Sequence, residues 1–230
     1  MKPIVFDDIH VSLRAADIAP TLHVEPGTDD YDDLERLLGE ACAIARPKAV
    51  YTTAYVTGRG EDAVEIDGLW IESRVMSENL KNVHRVFPYV ATCGTEVDDW
   101  SAGITDFLQN WWMDVAKAHL LYRATRRLND HLKQDLKLGN FANMNPGSLP
   151  NWPITGQAGL FGLIGDVKAL IGVTLTDSML MIPSKSVSGF YFQTESSYEN
   201  CELCTREGCP GRRKPLDRER YQQLLGAGSL

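Results

Sequence analysis

The longest periodic signal in the chain covers residues 96–138. It reads as one long helix, or as two helices broken near Gly103. Phe107, Trp111, Val115, Ala118, Tyr122, Thr125, Leu128 and Leu132 recur every three or four residues, the spacing that lines one helix face. Lys117, Arg123, Arg126, Arg127, Asp130 and Lys133 read as the solvated face opposite. Strand-like segments flank this helix on both sides: residues 50–57, 64–71 and 86–92 before it, 173–176, 179–182 and 184–192 after it. Residues 1–25 alternate loosely and read as one or two further strands. An apolar stripe through Leu34, Leu37, Leu38 and Ala41 predicts a helix over residues 31–45, with Cys42 as a core thiol. Asp67-Gly68 is a tight-turn signal. Strands and helices mix without regular β-α alternation, so the expected class is α+β with a curved, largely antiparallel sheet flanked by helices.

The chain has 230 residues, enough for a real core. Its formal net charge of −8 argues against bulk binding to nucleic acid. No apolar run approaches the ~20 residues that cross a bilayer. The first residues lack the apolar centre of a signal peptide, so a cytoplasmic location is expected.

Residues 201–213, CELCTREGCPGRR, are hard to explain as packing. Cys201, Cys204 and Cys209 follow the spacing C-x2-C-x4-C, and thiols this close make poor disulfide partners. Soft thiolates predict a metal, either an iron–sulfur cluster (a [4Fe–4S] cubane) or a structural zinc. Three thiols leave a fourth place. Cys93, before Gly94 at a strand end, is the candidate for it, with His84 or a small molecule as alternatives. Arg206, Arg212, Arg213, Lys214, Arg218 and Arg220 read as a basic rim. The expected division is an α+β domain over 1–198 and a Cys-rich metal-binding tail over 199–230.

Residues 140–155, NFANMNPGSLPNWPIT, hold four asparagines and three prolines, which disfavours both helix and strand. A long ordered loop of this kind suits the presentation of backbone groups to a small ligand. No nucleophile–base–acid set of the hydrolase kind is present, and no catalytic residue is assigned. No glycine-rich dinucleotide motif follows a first strand, which ranks a self-contained methyltransferase last.

Three segments together, NMNPGSLPNWP with GQAGLFGLI, SMLMIPSKSVSGFYF, and QTESSYEN, resemble the activation domain of cobalamin-dependent methionine synthase. That module binds S-adenosylmethionine during reductive reactivation. The resemblance spans roughly residues 86–198 and extends to free-standing single-domain relatives. It implies the same α+β fold with a cleft on one side of the sheet. It also implies ligand contacts at Asn143, Asn145, Gly147, Ser148 and Tyr198. Pro146 and Gly147 fall on the family's Pro-Gly, and Asn145 on its alanine. Asn143 stands where the family has a carboxylate-gripping arginine, and Ser148 where it has a tyrosine. Tyr198 lies near a tyrosine at the corrin interface. The resemblance further implies a corrinoid protein or cobalamin-dependent methyltransferase as partner, with its cobalamin as the group acted on. In such a system cob(II)alamin must gain an electron to become cob(I)alamin. The thiol tail would deliver it from a ferredoxin or flavodoxin through its cluster. The alternative is a non-redox docking module with a zinc-held tail.

Overall fold

The computed structural model describes residues 2–149, 151–195, 198–209 and 212–226. Pro150 of the loop, Ser196 and Ser197 before Tyr198, and Pro210 and Gly211 of the thiol stretch lie outside the described residues. The chain opens with β1 (Ile4–Phe6), α1 (Ala15–Leu22) and α2 (Asp29–Ile44). These are followed by β2 (Lys48–Tyr51), β3 (Ala54–Arg59), β4 (Ala63–Ile66), β5 (Leu69–Glu72), α3 (Arg74–Asn79) and β6 (Arg85–Thr92). Then come α4 (Thr95–Ser101), α5 (Phe107–Gln134), β7 (Phe141–Met144), α6 (Gln157–Ile164), α7 (Val167–Ile171), β8 (Thr174–Leu175), β9 (Met181–Ile182), β10 (Ser186–Gln193) and α8 (Arg218–Leu225).

The main sheet has eight strands, antiparallel throughout, with β6 at its centre. One edge of β6 takes β2 and then β3 in continuous register; the other takes β10 along seven residue pairs, from Ser186↔Thr92 to Phe192↔Val86. β7 lies outside β10, β1 outside β2, and the β4–β5 hairpin outside β3. A register shift between Val56 and Gly58 marks a bulge, which bends and twists that end of the sheet. The hairpin turns at Asp67 and Gly68, both at positive φ (44° and 87°), as the Asp-Gly pair requires. β8 and β9 form a separate two-stranded ribbon.

Helices cover both faces, and strand alternation assigns the side chains. Phe87, Tyr89 and Ala91 of β6, with Tyr191 of β10, pack beneath Ala124, Leu128 and Leu132 of α5. Val86, Val90, Phe190 and Phe192 point the other way, into a core with Leu160 and Ile164 of α6 and Val75 and Met76 of α3. A third cluster joins α1, α2 and the first half of α5. Helix starts are capped by side chains: Thr28 Oγ1 accepts from Tyr31 N at 3.3 Å, Ser73 Oγ from Met76 N at 3.2 Å, and Asp106 Oδ1 from Gln109 N at 2.9 Å. Tyr51 OH bonds His131 Nε2 at 2.7 Å, and Asp135 bonds its Nδ1 at 2.5 Å, tying α5 to β2.

Four expectations change. Residues 15–22 form α1, not a strand, because Ala15, Ile18, Ala19 and Leu22 share a helical face buried against α2. Cys42 is half-buried, its Sγ 3.7 Å from the Leu13 carbonyl, with its thiol pKa raised mainly by burial. The asparagine-rich segment begins as strand β7, because β10 offers it an open edge. The buried stripe of α5 is also turned from the one read in sequence. Trp112, Met113, Ala116, Leu120, Ala124, Leu128 and Leu132 are buried, while Phe107, Trp111 and Tyr122 are 90%, 41% and 60% exposed. Only the last turns follow the expected stripe, since Leu128 and Leu132 belong to both.

The rotation is testable by urea unfolding. Leu120→Ala is expected to cost about 2–5 kcal/mol, and Tyr122→Ala no more than about 0.5 kcal/mol. Equal losses would return the buried face to the stripe read from sequence.

Candidate functional site

The site grows from a close approach of backbones. Gly189 of β10 pairs with Tyr89 of β6, and a Cβ at Gly189 would collide with the Met144 carbonyl and lie 2.6 Å from Asn145 Nδ2. Only glycine lets the chain after β7 come this near, which is the local reason for the glycine in SVSGFYF. Asn145 takes the space. Its Nδ2 donates to the Ser188 carbonyl at 2.7 Å and to Tyr89 OH at 3.0 Å, and its Oδ1 accepts from Asn200 Nδ2 at 2.8 Å. Asn143 Nδ2 also donates to Tyr89 OH, at 3.2 Å. Tyr198 OH donates to Asn200 Oδ1 at 3.1 Å. On the far side of Ser188, its hydroxyl donates to Gln157 Oε1 at 2.8 Å, and Gln157 Nε2 donates to the Met179 carbonyl at 2.5 Å. Burial raises the hydroxyl pKa values of Tyr89, Tyr191 and Tyr198. These groups are therefore neutral donors and acceptors at ordinary pH.

Beside this network lies a polar cleft of about 460 Å³, lined in part by Lys133, Asn140, Asn143, Tyr191, Tyr198 and Arg213. A wider hollow of about 830 Å³ adjoins it at Asn140 and Glu195. β7 closes one side as an edge strand paired only with β10 among the described residues. Residues 139–143, which include most of this strand, line the cleft. Of the residues expected at the ligand, Asn143 and Tyr198 line the cleft, and Asn145 supports both from behind. Gly147 and Ser148 sit in an exposed turn and do not line it. That turn is closed by Gly147 N to the Trp152 carbonyl at 2.8 Å.

The thiol tail folds back against the body beside the cleft. Tyr198, Leu203 and Tyr221 are buried in the core beneath α3 and α6, so the tail shares the core of the body. Its organising group is Arg212, whose guanidinium donates to four carbonyls: Cys201 at 3.0 Å, Cys204 at 3.0 Å, Arg206 at 2.6 Å and Lys214 at 3.3 Å. Glu202 takes Lys214 at 2.6 Å and Arg220 at 2.9 Å, and Arg220 lies over the Tyr198 ring at 5.2 Å. The three tail thiols are half-buried and free. Burial would raise the Cys201 pKa, but backbone N–H groups of Arg213 and Lys214 and the Arg213 charge outweigh it and lower it. Cys93 is elsewhere. It is fully buried with Val97, Trp112 and Met113, and burial pushes its pKa up to about 12. Among the described residues, no group of three or more His, Cys, Asp or Glu converges to hold a metal ion. The structure therefore does not bring Cys93 to the tail thiols as the fourth ligand.

Sequence reasoning missed Tyr89, Tyr191, Asn129 and Asn200, and it placed Arg213 and Lys214 only on a rim. Asn200 and the two cations were signalled by lying within a few residues of Tyr198 and the thiols. Tyr89 and Tyr191 carried no such signal, because strand pairing alone joins them, with rings stacked at 4.3 Å.

Comparison with known proteins bears on the fold. Residues 128–210 match the family model described as the activation domain of vitamin B12 dependent methionine synthase. The solved structure of the MetH reactivation domain bound to AdoHcy superposes with a TM-score of 0.61 at 16% identity, covering 86% of this chain and 81% of that one. No curated protein matches. The chain thus resembles that activation domain in its C-terminal segment and shares its fold. No helix is long and apolar enough to cross a membrane among the described residues.

Two measurements test the site. Asn145→Leu strands several buried polar groups and is expected to cost about 3 kcal/mol in urea unfolding, with faster amide exchange over residues 198–209. An unchanged stability would remove Asn145 from the centre of the network. Alkylation followed by mass spectrometry should show Cys201 reacting with a midpoint below that of an ordinary thiol, while Cys93 stays unmodified until the protein unfolds.

Proposed function

We propose that this chain docks on a corrinoid protein and supports the return of its cobalamin to the working state, with a nucleoside amino acid of the AdoHcy class held in the cleft beside Asn143 and Tyr198. One observation carries the reading. The segment that matches the activation-domain family, residues 128–210, builds nearly all of the cleft, from Asn129 and Lys133 through β7 and β10 to Tyr198 and Glu199. The MetH reactivation domain, whose fold this chain shares, was solved with AdoHcy bound. The cleft fits such a ligand by chemistry: amides and an open strand edge suit the polar atoms of a purine and ribose, and cations suit a carboxylate. Its volume is within the usual range for small-ligand sites.

In this reading the chain's residues bind and orient. β7 presents its backbone edge, Tyr198 and Tyr191 wall the cleft, and the Asn145 network holds both strands and tail in place. The electron that turns cob(II)alamin into cob(I)alamin comes from a separate donor, such as a ferredoxin or flavodoxin.

A metal on the tail is the second reading, favoured by the lowered pKa of Cys201 in a segment with Cys204 and Cys209. Because Arg212 already orders this loop through four carbonyls, a cluster or zinc would require the thiols to turn toward one another around it. Among the described residues no three ligating side chains converge, so the residues as placed do not fit a bound metal. Anaerobic reconstitution with iron and sulfide is the check: a visible absorbance band with stoichiometric iron would restore the tail as electron carrier.

The main proposal predicts that the chain binds a corrinoid protein loaded with cob(II)alamin in interferometry, and that AdoHcy raises its thermal midpoint. Failure of both across several corrinoid proteins would sink it.

A further inference from the structure

We propose that Arg213, delivered by the C-terminal tail, is the carboxylate-binding residue of the cleft, and that Glu199 holds its guanidinium until a ligand carboxylate takes over. The inference rests on the ligand reading above. It concerns a residue outside the family-matched segment, which ends at residue 210.

Three cations line the cleft: Lys133, Arg213 and Lys214. Lys214 Nζ is held by Glu202 at 2.6 Å. Lys133 Nζ lies 5.7 Å from the centre of the Phe141 ring. Arg213 differs from both. Its side chain is 59% exposed and pairs at 2.8 Å with Glu199, which itself lines the cleft, while its charge also reaches Cys201. A guanidinium offers five donors in a planar fork, so a carboxylate arriving from the cleft can be gripped by two of them. Glu199 then acts as a placeholder of the same chemistry as the ligand group.

The mount is stiff. The Arg213 N–H is fixed on Cys201 Sγ at 3.4 Å, and the neighbouring Arg212 clamps four carbonyls of the same loop. Its charge also acts on Tyr89 and Tyr191, where burial raises the hydroxyl pKa values and Arg213 opposes the rise. The tail therefore supplies a charge to the cleft floor that Asn143, a neutral amide, does not.

Titration calorimetry with AdoHcy, and with 5′-methylthioadenosine as the analogue lacking the carboxylate, separates the cases. Arg213→Ala is expected to weaken AdoHcy binding roughly ten- to hundred-fold and to leave methylthioadenosine binding unchanged. Glu199→Gln, which removes the competing charge, is expected to tighten AdoHcy binding. Equal AdoHcy affinity in the unaltered chain and in Arg213→Ala, with Glu199→Gln also neutral, overturns this inference while the ligand reading stands. No AdoHcy binding by the unaltered chain overturns both. A thermal midpoint shared by all three proteins shows that folding is not the cause.

Discussion

Asn145 uses both ends of its amide on the protein itself, and the rest of the site depends on that. Its nitrogen reaches the Ser188 carbonyl of β10 and the Tyr89 hydroxyl of β6, and its oxygen takes the Asn200 amide of the tail. Four segments distant in sequence are joined at one side chain. Tyr89, Ser188 and Asn200 are buried, so leaving one of their polar groups unpaired costs about 1–3 kcal/mol. The network is complete only when β7 lies against β10, which in turn requires glycine at 189. A side chain of ordinary size there would meet the Met144 carbonyl and force the two strands apart.

The tail shows how a motif can be overdetermined. Three closely spaced thiols suggest a metal, and metals do organise short segments that lack a core. Here the ordering comes from other sources. Arg212 satisfies four carbonyls, Glu202 anchors two cations, and Leu203 and Tyr221 reach the main core. A guanidinium in a ring of carbonyls does mechanically what a bound ion would do, without needing thiolates. The thiols are left half-buried and free, with Cys201 held toward its thiolate form by neighbouring N–H groups and Arg213, against the opposing effect of burial.

The long helix carries two apolar stripes, and only packing chooses between them. Phe107, Trp111, Val115, Ala118 and Tyr122 keep a regular spacing, as do Trp112, Met113, Ala116 and Leu120. The second set is buried because α1 and α2 supply a matching surface on that side. Periodicity identified the helix correctly and was silent about which of two stripes would find a partner.

Local chemistry determined the elements that depend on neighbours in the chain. The hairpin at Asp67-Gly68, the capped start of α3 at Ser73, the helix over residues 29–44 and the strand before Cys93 all follow from turn chemistry, capping and short-range periodicity. The α+β class followed from their order, and the resemblance pointed to Asn143 and Tyr198 at the cleft. Only the tertiary structure decided that residues 141–144 form a strand, that Cys93 is a core thiol remote from the tail's core, and that Arg213 returns to the cleft wall. The reason is the range of the forces. A turn or a cap is settled within a few residues. The partner of a strand edge, a buried amide or a guanidinium is settled by whatever the folded chain brings within about 3 Å of it.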